Sequence, residues 1–205
     1  MNPTKYQLPF IIPSTEDVIR RLQYNPNKTI IEQDIINLIK SILIETSDLI
    51  HPIGLSLDFS PIIIEKDYII LEKNNKIYSS KLAGIMKNSK IISLIVATIG
   101  EEISIEIEEN MKKENYSRAV IIDAIASEAV ESFVEHIQKT LLSNKRLMGL
   151  KPTMRFSPGY GDLSIENQPY FLKLIEAEKI GISLHPKSFL LIPEKTITAL
   201  VGWES

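Results

Sequence analysis

The longest helical pattern in this chain spans residues 115–143, where Val120, Ile121, Ala124, Ile125, Ala129, Phe133, Ile137 and Leu141 recur on one face. A helix of that length needs an extended apolar partner, and the strand patterns elsewhere supply one. Residues 91–98 form a run rich in β-branched side chains, suited to a central strand. Leu55, Leu57 and Phe59 alternate, and 62–64 is a short apolar run. Residues 68–71 are joined to 76–78 through Asn74-Asn75, a pair that tolerates positive φ and predicts a hairpin turn. Two further strands are expected over 188–192 and 196–203. Strands and helices are grouped rather than alternating, so the expected class is α+β: a mainly antiparallel twisted sheet with long helices packed on it.

The remaining helices carry local signals. Ser14 precedes Glu16 and Asp17, a hydroxyl cap followed by first-turn acids, and Asn25-Pro26-Asn27 stops the helix. Thr29 and Glu32 have capping-box spacing ahead of a long core helix that reaches His51-Pro52. A short helix is expected over 80–87, one from Gly100-Glu101-Glu102 to about 113, and one ending near Gly181. Residues 146–162 lose periodicity and hold Gly149, Pro152, Pro158, Gly159 and Gly161. With no repeat or linker, residues 1–205 are expected to form one domain.

Composition narrows the function classes. The chain has no cysteine, which excludes disulfide scaffolds and thiolate metal sites. A net charge of −3 with only 5 arginines argues against nucleic-acid binding. Residues 1–13 lack the cationic start and apolar core of a signal peptide, and the longest apolar stretch, 91–99, is about half of what crosses a bilayer. The expectation is a cytoplasmic protein that engages neither membrane nor nucleic acid. His51, His136 and His185 lie far apart without ligand spacing, so no metal site is expected.

Three segments remain as candidates for chemistry. Thr98-Ile99-Gly100-Glu101 joins a strand to a helix, but one glycine followed by two acids makes a helix cap rather than a phosphate cradle. Glu128, Glu131 and Glu135 form a carboxylate ladder on a helix whose small residues (Ala124, Ala126, Ser127, Ala129) allow close approach. Asp123 and the acids at 101–109 read as solvated faces. The sharpest segment is Met154-Arg155-Phe156-Ser157-Pro158-Gly159-Tyr160-Gly161-Asp162. Its arginine can grip a carboxylate through two parallel hydrogen bonds. Pro158 and Gly159 set a turn with backbone donors and acceptors expected at its outside edge, and Tyr160 adds a flat ring with a polar tip. Those elements suit a clasp for a zwitterionic small molecule with a flat base; a loop tied down by an arginine ion pair is the other reading.

Arg155-Phe156-Ser157-Pro158-Gly159-Tyr160 resembles the R-x-x-x-G-Y motif of the activation domain of cobalamin-dependent methionine synthase, which binds S-adenosylmethionine. Three more stretches are similar in order. Residues 121–131, ending Ala129-Val130-Glu131, resemble the family's LDA…AVE helix; Glu178-Lys179-Ile180-Gly181-Ile182 resembles its E-K-x-G-I helix end; and 193–200 resembles its terminal P-x-x-S-V-S-A strand. The likeness is strongest over 90–202, and weaker over 1–90, where Ile19-Arg20-Arg21-Leu22-Gln23-Tyr24 resembles the opening of free-standing members. Asp58 sits in a Leu-Asp-Phe-Ser-Pro stretch similar to one at the start of the family domain, but here it follows the long helix.

The resemblance implies a role. The synthase's cobalt is occasionally oxidised to cob(II)alamin; the activation domain presents S-adenosylmethionine, and one electron from a flavodoxin-type donor allows remethylation. Carried over, Arg155 would hold the methionine carboxylate, 156–159 (Phe156, Ser157, Pro158, Gly159) would meet the ligand through backbone, Tyr160 would line the site and Glu131 would hydrogen-bond the ligand. No residue of the chain would be catalytic, because the reactive cobalt belongs to a cobalamin-binding partner. The alternatives are an activation partner for a different corrinoid methyltransferase, or a corrinoid-protein interaction module without ligand binding. A conventional S-adenosylmethionine methyltransferase fits less well, since the glycine-rich turn after a first strand is absent.

Overall fold

The computed structural model describes residues 2–24, 32–72 and 75–205. Strand β1 (Thr4–Gln7) leads into helix α1 (Thr15–Arg21) and helix α2 (Gln33–Glu45). Strand β2 (Ile53–Phe59) is followed by a small three-stranded sheet of β3 (Ile63–Ile64), β4 (Tyr68–Ile70) and β5 (Ile77–Tyr78). Helix α3 (Ser80–Met86), strand β6 (Ile91–Thr98), helix α4 (Glu102–Lys112) and helix α5 (Tyr116–Arg146) come next. The chain then forms β7 (Lys151–Pro152), α6 (Gln168–Leu174), a β8–β9 pair (Ser183–Leu184, Leu191–Ile192) and β10 (Thr196–Glu204). The main sheet has the order β1-β2-β6-β10-β7, with every neighbour antiparallel. The fold is α+β, as the grouping of the patterns implies.

Helix α5 has 31 residues and is about 46 Å long at 1.5 Å per residue. Its first half packs Ile122, Ile125, Ala126 and Ala129 against Val18, Ile39, Ile42 and Ile103 from α1, α2 and α4. Its second half places Phe133, Val134, Ile137 and Leu141 on Ile95, Ala97, Val201 and Trp203 of the sheet. The small residues of the helix therefore serve helix–helix approach. Gly54 of β2 serves approach to the sheet: a Cβ there would lie 2.8 Å from Ile137 Cδ1 and 2.9 Å from the Val96 carbonyl oxygen. The opposite face of the sheet, with Leu57, Leu94, Val96 and Leu200, is covered by Leu82 and Met86 of α3 and Phe171 of α6.

A partly buried polar chain locks α5 to the sheet. Trp203 Nε1 donates to Ser93 Oγ at 2.7 Å, Ser93 Oγ donates to Asp58, and Lys145 near the end of α5 pairs with the same carboxylate. Four elements are joined through one carboxylate, which gives Asp58 a structural role. Farther along α5, the buried Lys195 reaches Asp123 at 2.6 Å and Ser127 Oγ at 3.3 Å. Asp123 is thus the counter-charge of a buried lysine, a correction to its reading as a purely solvated acid.

Other differences have local causes. Strand β1 was not expected; four residues between prolines show no alternation of their own, and they are ordered by the open edge of β2. The helix expected to end near Gly181 is two pieces, α6 and a 3₁₀ turn over Ala177–Ile180, separated where Glu176 takes a left-handed φ of 55°. The strand expected over 188–192 shortens to β9, because Lys187 and Ser188 N–H groups turn back on His185 Nδ1. Ser14 caps α1 by accepting from Asp17 N–H at 3.1 Å. Residues 25–27, Thr29 of the capping pair and Asn74 of the hairpin turn lie outside the described residues.

The polar lock has a measurable asymmetry. Lys145 is 8% exposed in its side chain and Asp58 40%. Asp58→Ala leaves an ammonium buried without its counter-charge. The expected cost is about 2 kcal/mol, less than the roughly 3–5 kcal/mol of a fully buried pair because water reaches Asp58. Lys145→Met, which keeps the apolar stem and removes the charge, is expected to cost less than half as much. Urea midpoints of the two variants check the order.

Candidate functional site

The residues after α5 build an irregular edge to the sheet. Gly149 ends the helix at φ 73°, and β7 pairs with the end of β10. Thr153 N–H donates to the Gly202 carbonyl at 2.8 Å while its Oγ1 accepts from Gly202 N–H at 2.9 Å. Phe156 and Leu200 exchange both backbone bonds, at 2.9 and 2.8 Å. Pro158, two residues on, has no N–H for the next ladder position, and the chain leaves the edge in a turn. Because alternate side chains face opposite ways, Phe156 enters the core beneath the sheet and Arg155 turns toward α5.

There Arg155 Nη2 meets Glu131 Oε2 at 2.9 Å. The other terminal nitrogen, Nη1, is buried and has no partner among the described residues. A guanidinium normally uses its fork, so an idle buried arm is unsatisfied capacity for an anion. Beside it opens a cleft of about 280 Å³, lined by Glu131 from α5, by Ile197 and Ala199 from β10, and by Met154, Arg155, Phe156, Ser157 and Tyr160. The arrangement combines one fixed cation, one carboxylate, an apolar floor, and a thioether and an aromatic ring exposed at the rim.

The turn is tied from both sides. Gly159 N–H donates to the Leu163 carbonyl at 2.8 Å and Tyr160 N–H to the Ser157 carbonyl at 3.2 Å. The N–H groups of Gly159 and Tyr160 are therefore spent inside the turn rather than at its outside edge. Gly159 and Gly161 have φ of 89° and 58°, conformations that a side chain would strain. Asp162 then anchors the segment to the start of α3, accepting from Ser79 Oγ and from Ser80 N–H at 2.8 Å. The Ser79 hydroxyl holds the Asp162 carboxyl below its ordinary range; partial burial opposes this, and the Lys81 and Ser80 N–H groups add to it.

Of the residues singled out from sequence, Arg155, Phe156, Ser157, Tyr160 and Glu131 share this cleft. Pro158 is buried and Gly159 exposed, and neither lines it; they shape the turn. The carboxylate ladder divides: Glu128 pairs with Arg21, Glu135 with Lys139 at 2.8 Å, and only Glu131 faces the cleft. Met154, Ile197 and Ala199 were missed as lining residues. The last two could have been found by the two-residue period of β10, which puts them on the α5 side. His51 lies elsewhere, 3.2 Å from Glu102. Among the described residues no three His, Asp or Glu side chains gather as metal ligands, and no helix is long and apolar enough to cross a membrane.

No protein-family model matches the sequence, and no curated protein matches it. Among solved structures, one described as the MetH reactivation domain bound to AdoHcy superposes with a TM-score of 0.70, covering 98% of this chain and 78% of that one. The two share a fold. Sequence identity is 16%, so the likeness lies in architecture rather than in residues.

The anchor of the loop is pH-dependent in a defined direction. A carboxyl whose folded pKa is lowered adds stability above its unfolded pKa and loses it as pH falls through the folded value. Thermal melts from about pH 7 down to about pH 3 should show wild type losing an increment that Asp162→Asn lacks. The difference between the two should narrow as pH falls.

Proposed function

We propose that this protein binds S-adenosylmethionine in the Arg155 cleft. It presents the methyl group to the cobalt of a separate cobalamin-binding methionine synthase, helping to restore that enzyme after cob(II)alamin forms. On this reading residues 1–205 act as one cytoplasmic activation unit, and a flavodoxin-type donor supplies the electron. The observation that carries it is the Arg155–Glu131 pair lining a cleft, in a fold shared with a structure described as bound to AdoHcy.

The residues fit such a ligand at its amino-acid end. Arg155 offers a guanidinium to a carboxylate, and Glu131 offers a carboxylate to an ammonium. Ile197 and Ala199 give an apolar floor, and the Tyr160 ring offers a flat face at the rim. S-adenosylmethionine, when bound, supplies an activated methyl group. What the chain contributes is placement: α5 carries Glu131, and the loop bonded to β10 through Phe156 and Leu200 carries Arg155. The cleft volume is just under the roughly 300–1,000 Å³ usual for small-molecule sites. A ligand seated there keeps part of itself outside, as delivery to a second protein requires.

Calorimetric titration with S-adenosylmethionine tests the reading. Arg155→Ala should weaken binding by about 10- to 100-fold, the equivalent of a charge-assisted hydrogen bond of about 1.5–3 kcal/mol. Unchanged affinity would remove Arg155 from the site. Adding the protein to an inactive cob(II)alamin form of a methionine synthase, with reductant and S-adenosylmethionine, should raise the methylcobalamin yield. Capture of the cobalamin protein with no heat of ligand binding would favour an interaction module instead.

A further inference from the structure

We infer that Glu131 stands in for a ligand carboxylate on Arg155, and that binding is an exchange of ion-pair partners. The exchange selects molecules carrying both a carboxylate and an ammonium on one carbon. The inference rests on the ligand reading of the cleft given above and adds a rule for what may enter.

Three observations carry it. Glu131 and Arg155 meet through the single Nη2–Oε2 contact, while Nη1 stays buried and idle. Guanidinium–carboxylate ties frequently use both arms, and this one leaves half of the fork free for a second acceptor. Second, the partners sit on supports that need not move. Helix α5 is buried along both halves, and the Phe156–Leu200 bonds fix the loop, so the exchange needs only a rotation of the Glu131 side chain, which is 42% exposed. Third, three cations paired with carboxylates of α5 are already engaged. Among the described residues, Arg21 is held by Glu128, Lys139 by Glu135 and Lys195 by Asp123.

The consequence is a charge balance. A ligand bringing only a carboxylate takes Arg155 but strands Glu131 beside a second anion. A ligand bringing only an amine finds Glu131 already engaged. A zwitterion replaces one ion pair by two: its carboxylate takes the guanidinium, and its ammonium takes the released glutamate. Glu131 is then a specificity-determining residue, and the pair keeps simple carboxylates out of the cleft.

The test uses the full chain, wild type and Glu131→Gln, with two matched probe pairs. One pair is S-adenosylhomocysteine and its deaminated counterpart; the other is L-methionine and 4-(methylthio)butanoate, which lack the nucleoside. Binding is read by calorimetry and by the ¹⁵N–¹H signals of the Arg155 guanidinium. Wild type should prefer each zwitterion over its amino-free partner by about ten-fold or more. In Glu131→Gln that gap should close to about two-fold, chiefly because the amino-free anion binds better. An equal loss for both members of a pair, or an unchanged gap, overturns the exchange. If only the methionine pair binds and shows the gap, the exchange stands and the nucleoside reading falls. If S-adenosylhomocysteine binds without a gap, the nucleoside reading stands and the exchange falls. No binding by any probe overturns both.

Discussion

Helix α5 has to be covered on two sides at once, and most of the architecture follows from that requirement. Its first half is too apolar to face water and is enclosed by α1, α2 and α4; its second half lies on the sheet. A single long helix spanning a helical layer and a sheet layer couples them mechanically. Small residues at the crossing points make the coupling close: alanines against the helices, Gly54 against Ile137. Two lysines with carboxylate partners, Lys145 with Asp58 and Lys195 with Asp123, then fix the register between helix and strands. Hydrophobic burial sets how much surface is hidden, and these polar ties set which surface.

The cleft lies where this spine meets an imperfect sheet edge. A regular strand beside β10 would have satisfied its backbone and filled the space. Instead β7 is two residues long, the ladder resumes for one residue at Phe156, and Pro158 ends it. What is left is a short wall of main chain with Arg155 facing the helix and a tied turn beyond. The cleft at this place comes from an interrupted strand, tied by Asp162 and the Leu200 bonds.

Helix α5 was legible from its long helical period, strand β6 from its β-branched run, and the small hairpin from the turn residues between its two short apolar segments. The loop at 154–162 was legible for the opposite reason: its loss of period, its arginine and its glycines stand out against the regular segments. Strand β1 was not legible, since its order comes from the edge it joins. The roles of Asp123, Lys195 and Asp58 were hidden too, because ion pairs across 72 and 87 residues leave no local mark. The same holds for Ile197 and Ala199: they read as core of a strand, and only the interruption next to them turns them into a floor.

Trp203 gains a further meaning from its surroundings. It is the only tryptophan in the chain, fully buried, and its indole nitrogen begins the chain of contacts that ends at Lys145 on α5. Its ring packs with Phe133 and Ile137, in the same stretch of helix that continues from Glu131. The molecule therefore carries a built-in optical gauge. Ultraviolet emission from one native chromophore reports how the spine is seated on the sheet, and no label has to be placed near the cleft to watch its support.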